Sequence, residues 1–334
     1  MPTFLELNTT ISVKEKELLT KEQFDKLLQA PNTTTLARLL HQSVYHLTVD
    51  DLNDLDRLES ILMAELTKTY RWAFAETPQP DIVQLFTLRY TYHNVKVLLK
   101  AKASQADLSH LLLPIGDKPL VALEHLIRTM TSDEFPKEVV TEIQSIWAEY
   151  QDYQDIRVLE IGTDLAYFKA LKQIAQRLED PVFQQAVLIV IDLYNLITVR
   201  RAKSQNKPIS FMMQLLSDEA SRPSKTFITL EDDKDLMTWF EFENVTPDSY
   251  MTALKPYSEK LRQGTLQTTE LEYLVDECLY HLFAKAKYQV DGPYVLARFL
   301  LAKSFEVKNL RLLAAALAND LPKERVIERM RPIA

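Results

Sequence analysis

Three stretches decide how this chain is read: RYTYHNVKVLLKAK at residues 89–102, VIDLYNLITVRRAK at 190–203 and KSFEVKNLRLLAAAL at 303–317. Each is an apolar helical pattern with an asparagine inside it, at Asn94, Asn195 and Asn309. An alanine follows seven residues later each time, at Ala101, Ala202 and Ala316. One residue after the asparagine stand Val95, Leu196 and Leu310, and four after it Leu98, Val199 and Leu313. A proline lies 14 residues upstream in the first two stretches (Pro80, Pro181) and 16 upstream in the third (Pro293). The asparagines are 101 and 114 residues apart. Any one match is cheap in a helical protein, whereas a shared proline-to-asparagine register points to an internal triplication with a period of about 100 residues. Coincidence among three long helices is the alternative. The period exceeds the roughly 20–50 residues of the short solenoids, so each repeat would be a small helical lobe: 1–106, 107–208 and 209–334.

Asparagine is a mediocre helix former. Inside a helix it either faces water or bonds a neighbouring element. The expectation here is that each asparagine bonds the backbone or a polar side chain of the helix packed beside it.

The rest of the sequence reads the same way. LLTKEQFDKLLQA (18–30) holds Thr20 with Gln23 three residues later, the spacing of a capping box. The segment from Leu52 to about Phe74 reads as one long helix, with Leu55, Leu58, Leu62 and Leu66 on a stripe. Thr77-Pro78-Gln79-Pro80 ends it. Leu85, Leu88, Tyr92, Val95 and Leu99 share the next stripe, Ile189, Leu193 and Leu196 the second, and Val307, Leu310 and Leu313 the third.

Composition narrows the function. The 334 residues contain four glycines, and neither G-x-G-x-x-G nor the P-loop pattern occurs. Tight hairpins and glycine-rich phosphate loops both need glycine where φ is positive or a backbone approaches a ligand. Leu, Ala, Glu and Lys are abundant, so the expected fold class is all-α. Cys278 is the single cysteine, which rules out an internal disulfide and fits a reducing compartment. The formal net charge is −8, with a pI of about 5.4. Phosphate backbones and anionic lipid repel such a chain, so neither nucleic acid nor direct lipid binding is expected. The longest unbroken apolar runs, AVLIVI at 186–191 and LLAAALA at 312–318, are short of the ~18–20 residues of a bilayer span. MPTFLELNTT has no basic segment leading into an apolar one, so no signal peptide is expected.

Candidate chemistry is thin. Asp50-Asp51-Leu52-Asn53-Asp54 matches D-D-x-x-D, which in all-α isoprenoid enzymes holds magnesium against a pyrophosphate. Those enzymes need a second such motif, and Asp232-Asp233-Lys234-Asp235 has the wrong spacing. The plainer reading puts Asp50 and Asp51 at a helix N-terminus. Cys278 and His281 could touch one metal, but His41, His46, His93, His110 and His125 offer no further ligand at a suitable spacing. LEDDKDLMTWFEFENVTPDSY (230–250) is either a solvated helix start followed by core aromatics or a partner-docking surface anchored by Trp239, Phe240, Phe242 and Tyr250. Arg200-Arg201-Ala202-Lys203 reads as a helix C-terminus or as an attractor of an acidic partner helix.

With these features in view, the chain resembles the C subunits of the V-type and A-type rotary ATPases, whose eukaryotic counterpart is called d. The similarity runs over essentially the whole chain. It is strongest at LLTKEQFDKLLQA, at RYTYHNVKVLLKA and at GPYVLARFLLAKSFEVKNLRLL, where Lys303, Glu306, Asn309, Leu310 and Arg311 form K-x-x-E-x-x-N-L-R. One departure lies near the N-terminus, where this chain reads ISVKEKE and family members often carry arginines. The resemblance implies a funnel of three similar helical lobes with pseudo-threefold symmetry. It implies a non-catalytic rotor adaptor without cofactor or metal, on the cytoplasmic face of the membrane, between the axial central-stalk subunits and the membrane proteolipid ring. Peripheral-stalk subunits are further candidate partners. Two rival readings remain at this point: an unrelated α-helical scaffold or regulatory binding module, and a metal-dependent enzyme using Asp50, Asp51 and Asp54.

Overall fold

The computed structural model describes residues 3–229, 257, 260, 263, 265–284, 286 and 289–333. No strand occurs among them, so the expected all-α class holds. In chain order the helices are α1 (Phe4–Lys14), α2 (Lys21–Leu28), α3 (Thr33–Leu40), α4 (Val49–Asn53), α5 (Leu55–Glu76), α6 (Pro80–Ser104), α7 (Leu120–Thr129), α8 (Lys137–Tyr153), α9 (Ile156–Arg177), α10 (Pro181–Ser204), α11 (Ile209–Leu215), α12 (Ser224–Thr229), α13 (Thr268–Ala284), α14 (Tyr294–Ala318) and α15 (Lys323–Ile327).

Local chemistry sets many of these boundaries. Thr3, Thr20 and Thr48 head α1, α2 and α4, each closing a full capping box with the side chain three residues on. Pro80 and Pro181 are the first residues of α6 and α10, where a missing N–H costs nothing. One expectation is corrected. The segment from Leu52 to Phe74 is not a single helix, because Asp54 adopts an extended backbone (φ −115°, ψ 102°). Its carboxylate accepts from the N–H groups of Asp56 and Arg57 and starts α5 afresh. Leu58, Leu62 and Leu66 are buried as the stripe requires, whereas Leu55 lies at the new N-terminus, 46% exposed. The segment 230–250, with its acidic and aromatic residues, lies outside the described residues.

The chain divides into two compact units, Met1–Val83 with Asp276–Ala334, and Gln84–Val275. In the first, both ends of the sequence build one core around α14. That helix is buried along most of its length, and α5 and α1 pack against it. In the second, α8, α9 and α10 pack in succession. Tyr92, Val95 and Leu99 of α6 enter a cluster with Leu123, Leu126, Ile143, Ile146 and Leu159. By length and apolarity α10 could cross a membrane, but two-thirds of its most apolar stretch is buried inside the fold, where it serves as a core helix.

Candidate functional site

The asparagines are the first feature the structure organises. All three are buried, at 1%, 0% and 1% exposure for Asn94, Asn195 and Asn309. Each makes the same pair of bonds to one backbone residue. The Asn94 amide donates to the Leu113 carbonyl at 2.7 Å and accepts from the Leu113 N–H at 2.9 Å. Asn195 does so with Ser217 at 2.8 and 2.9 Å, and Asn309 with Arg331 at 3.0 and 2.7 Å. The expectation of a bonded asparagine therefore holds, but the partner differs. It is not the helix packed alongside. Leu113, Ser217 and Arg331 lie in irregular backbone, 19 or 22 residues downstream of their asparagines. A carboxamide presents a donor and an acceptor side by side, as a backbone residue does. It can thus satisfy both backbone groups of a residue outside any helix, and in a core such groups must be satisfied.

The correspondence continues past the clamps. Eleven residues after each asparagine, Gln105, Asn206 and Asp320 have left-handed φ of 55°, 54° and 48° and close their helices. Across the second and third of these turns, Lys207 donates to the Ala202 carbonyl at 3.0 Å and Leu321 to that of Ala316 at 2.9 Å. Ala202 and Ala316 are buried, and Ala101 is half-buried.

Three residues before the asparagine, the second and third long helices carry a buried carboxylate. Asp192 accepts from the Ser221 N–H at 2.8 Å and from the Ser221 hydroxyl. Burial pushes the Asp192 carboxyl above the usual range, against the opposing pull of the Ser221 bonds and of the Arg222 and Lys172 charges. Glu306 is a hub. Its Oε1 accepts from the Tyr45 hydroxyl at 2.7 Å and from Lys303 Nζ at 3.0 Å, and its Oε2 from the Leu19 N–H at 2.5 Å. Lys303 also lies 3.9 Å from a Glu65 oxygen and 4.5 Å from the Tyr45 ring centroid. Burial, then the Glu306 charge, raises the Tyr45 hydroxyl well above its usual pKa. Along the same helix Arg298 pairs with Glu15 at 2.8 Å, and Arg311 holds Glu59 with two bonds of 2.6 and 2.7 Å.

Lys303, Glu306 and Arg311 of the K-x-x-E-x-x-N-L-R pattern thus form a seam between α14 and residues 19–65, while its Asn309 holds Arg331. The sequence marks Lys303 and Glu306 as charged, hence as surface candidates, but not as a buried pair. The available signal is that both stand inside a largely apolar helix.

The metal candidates resolve into structural roles. Asp51 closes the Thr48 capping box and pairs with Arg57 at 2.5 Å, and its carboxyl is held below the usual range chiefly by the Thr48 side chain. Asp54 caps α5, and Asp50 is exposed. Cys278 is buried and its thiol pushed up by burial, while His281 faces Glu277 at 3.6 Å. Among the described residues no three His, Cys, Asp or Glu side chains converge to hold a metal. The basic cluster ends α10, where Arg200 donates to the Leu266 carbonyl at 2.8 Å and Arg201 pairs with Glu272.

Among the described residues the chain is all-α, with buried polar clamps and a charged seam. Residues 7–329 match the ATP synthase (C/AC39) subunit family. The C subunit of the V-type sodium ATPase of Enterococcus hirae is 30% identical over 332 residues, covering 98% of this chain and 98% of that protein. The chain belongs to the ATP synthase (C/AC39) subunit family.

Proposed function

We propose that this chain is the non-catalytic adaptor of a V-type ATPase central rotor, coupling the axial stalk of the ATP-hydrolysing head to the membrane proteolipid ring. The observation that carries the reading is the end-to-end match to the C subunit of a V-type sodium ATPase, with 98% of each chain covered. In this reading the chain is a triplication with lobes at 1–106, 107–208 and 209–334, arranged as a pseudo-threefold funnel on the cytoplasmic face of the membrane. The repeated clamp geometry at Asn94, Asn195 and Asn309 and the repeated left-handed helix ends support the triplication. A part that transmits torque must resist bending, and clamps that fix the segment following each long helix suit that demand.

The test is affinity purification of the tagged chain from gently solubilised native membranes, read by mass spectrometry. The reading expects nucleotide-binding subunits, axial stalk subunits and a small proteolipid to be recovered together. Recovery of none of these from membranes with an active rotary ATPase would overturn it.

A further inference from the structure

Glu306 has an arrangement that its neighbours in the seam lack. Its two oxygens hold the two ends of a single excursion of the chain. Leu19, bonded to Oε2, directly precedes the capping residue of α2, and Tyr45, bonded to Oε1, follows α3. The α2–α3 pair is therefore anchored at both feet to one buried carboxylate.

Between α2 and α3 lies an open groove of about 560 Å³, large enough for several side chains. Glu22, Asp25, Lys26 and Arg38 line it, with Ala30 and Leu39 as its apolar floor and rim. The four charged residues are exposed, and their side chains make no ion pair or hydrogen bond among the described residues. Glu22 and Lys26 stand one helical turn apart in the order that usually pairs, yet they do not meet. Some charges elsewhere in the same unit are joined: Arg298 to Glu15, Arg311 to Glu59, Arg57 to Asp51. Leu39, 37% exposed, offers a contact at the rim.

We propose that the α2–α3 groove docks a helix of a partner protein in the complex that presents charges of both signs around an apolar contact, and that Glu306 positions the groove for it. Charge complementarity specifies the partner: acidic groups against Lys26 and Arg38, basic groups against Glu22 and Asp25. A surface of one sign, such as an anionic membrane, would satisfy half of the groove and be repelled by the rest. The proposal rests on the chain acting within an assembled complex.

The test uses the assembled ATPase, purified through a tag on another of its proteins, with a photo-crosslinking phenylalanine at Leu39. The expected product is a peptide of one partner protein with acidic and basic residues within a turn of each other. Two variants, Lys26→Glu with Arg38→Glu and Glu22→Lys with Asp25→Lys, should each retain the melting temperature of the parent chain. Each should lower its recovery in the complex about tenfold at low salt, a loss of about 1.4 kcal/mol in binding. Crosslinking to lipid alone, or parental recovery of both variants, overturns the groove proposal while leaving the adaptor reading intact. Absence of the unmodified chain from the complex overturns the adaptor reading, and the groove proposal with it.

Discussion

At the scale of single residues, the asparagine clamps carry the most structural information per atom. Asn195 is fully buried, and its loss would strand the N–H and C=O of Ser217 in the core. Asn195→Leu should cost about 2–4 kcal/mol, since each stranded buried group costs roughly 1–3 and the added apolar area offsets part of that. Asn94→Leu and Asn309→Leu should behave alike in thermal unfolding. Unchanged melting temperatures at all three sites would mean the bonds contribute nothing. Asp192 allows a test of sign. Its carboxyl is raised by burial, so the native state binds its proton more readily than the unfolded chain. The stability associated with that proton is present below the unfolded pKa and lost as pH rises through the folded one. Asp192→Asn keeps an acceptor for the Ser221 N–H and removes the buried charge. The variant should gain on the parent as pH rises from about 4 to 7. A parent that instead stabilises relative to the variant over that range would contradict the assignment.

At the scale of helices, sequence reading succeeded where a residue acts on its own backbone neighbours. The Thr20–Gln23 box and the breaks at Pro80 and Pro181 are local, and all three stand where the spacing puts them. It failed at Asp54, which fits a helix interior by pattern. There its short carboxylate bonds the next turn and restarts the helix. It also could not name the clamps' partners. The asparagine register was visible, but a backbone N–H and C=O leave no mark on the sequence 19 or 22 residues away. Gly162 illustrates the same limit. In the middle of α9 it looks like a flaw worth about 1 kcal/mol against alanine. A Cβ there would lie 2.9 Å from Ile146 Cγ1, and Ile146 is itself buried in a cluster that cannot readily yield. Gly162→Ala should therefore lower stability by about 1–2 kcal/mol, as overpacking does. A raised melting temperature would show that α8 and α9 can move apart.

At the scale of the whole molecule, the first compact unit joins the two ends of the chain through a buried charged seam. Such pairs often add little stability over apolar replacements, yet removing one partner costs about 3–5 kcal/mol. Glu306→Ala should accordingly be severely destabilising. The triple change Lys303→Met, Glu306→Leu, Tyr45→Phe should recover most of the melting temperature. A single variant as stable as the parent would contradict the geometry of the hub. The all-α class could be read from the sequence because it rests on composition and helical periodicity, and the family because the resemblance runs over essentially the whole chain. The seam could not, because burial of Lys303 and Glu306 depends on Leu19, Tyr45 and Glu65, at the far end of the chain.

The adaptor role is tested most directly by coupling. Membrane vesicles from cells lacking this chain should show little ATP-driven ion uptake, and purified chain added back with the soluble head should restore it. Uptake at the full rate without the chain, from a head and ring otherwise intact, would contradict the role proposed here.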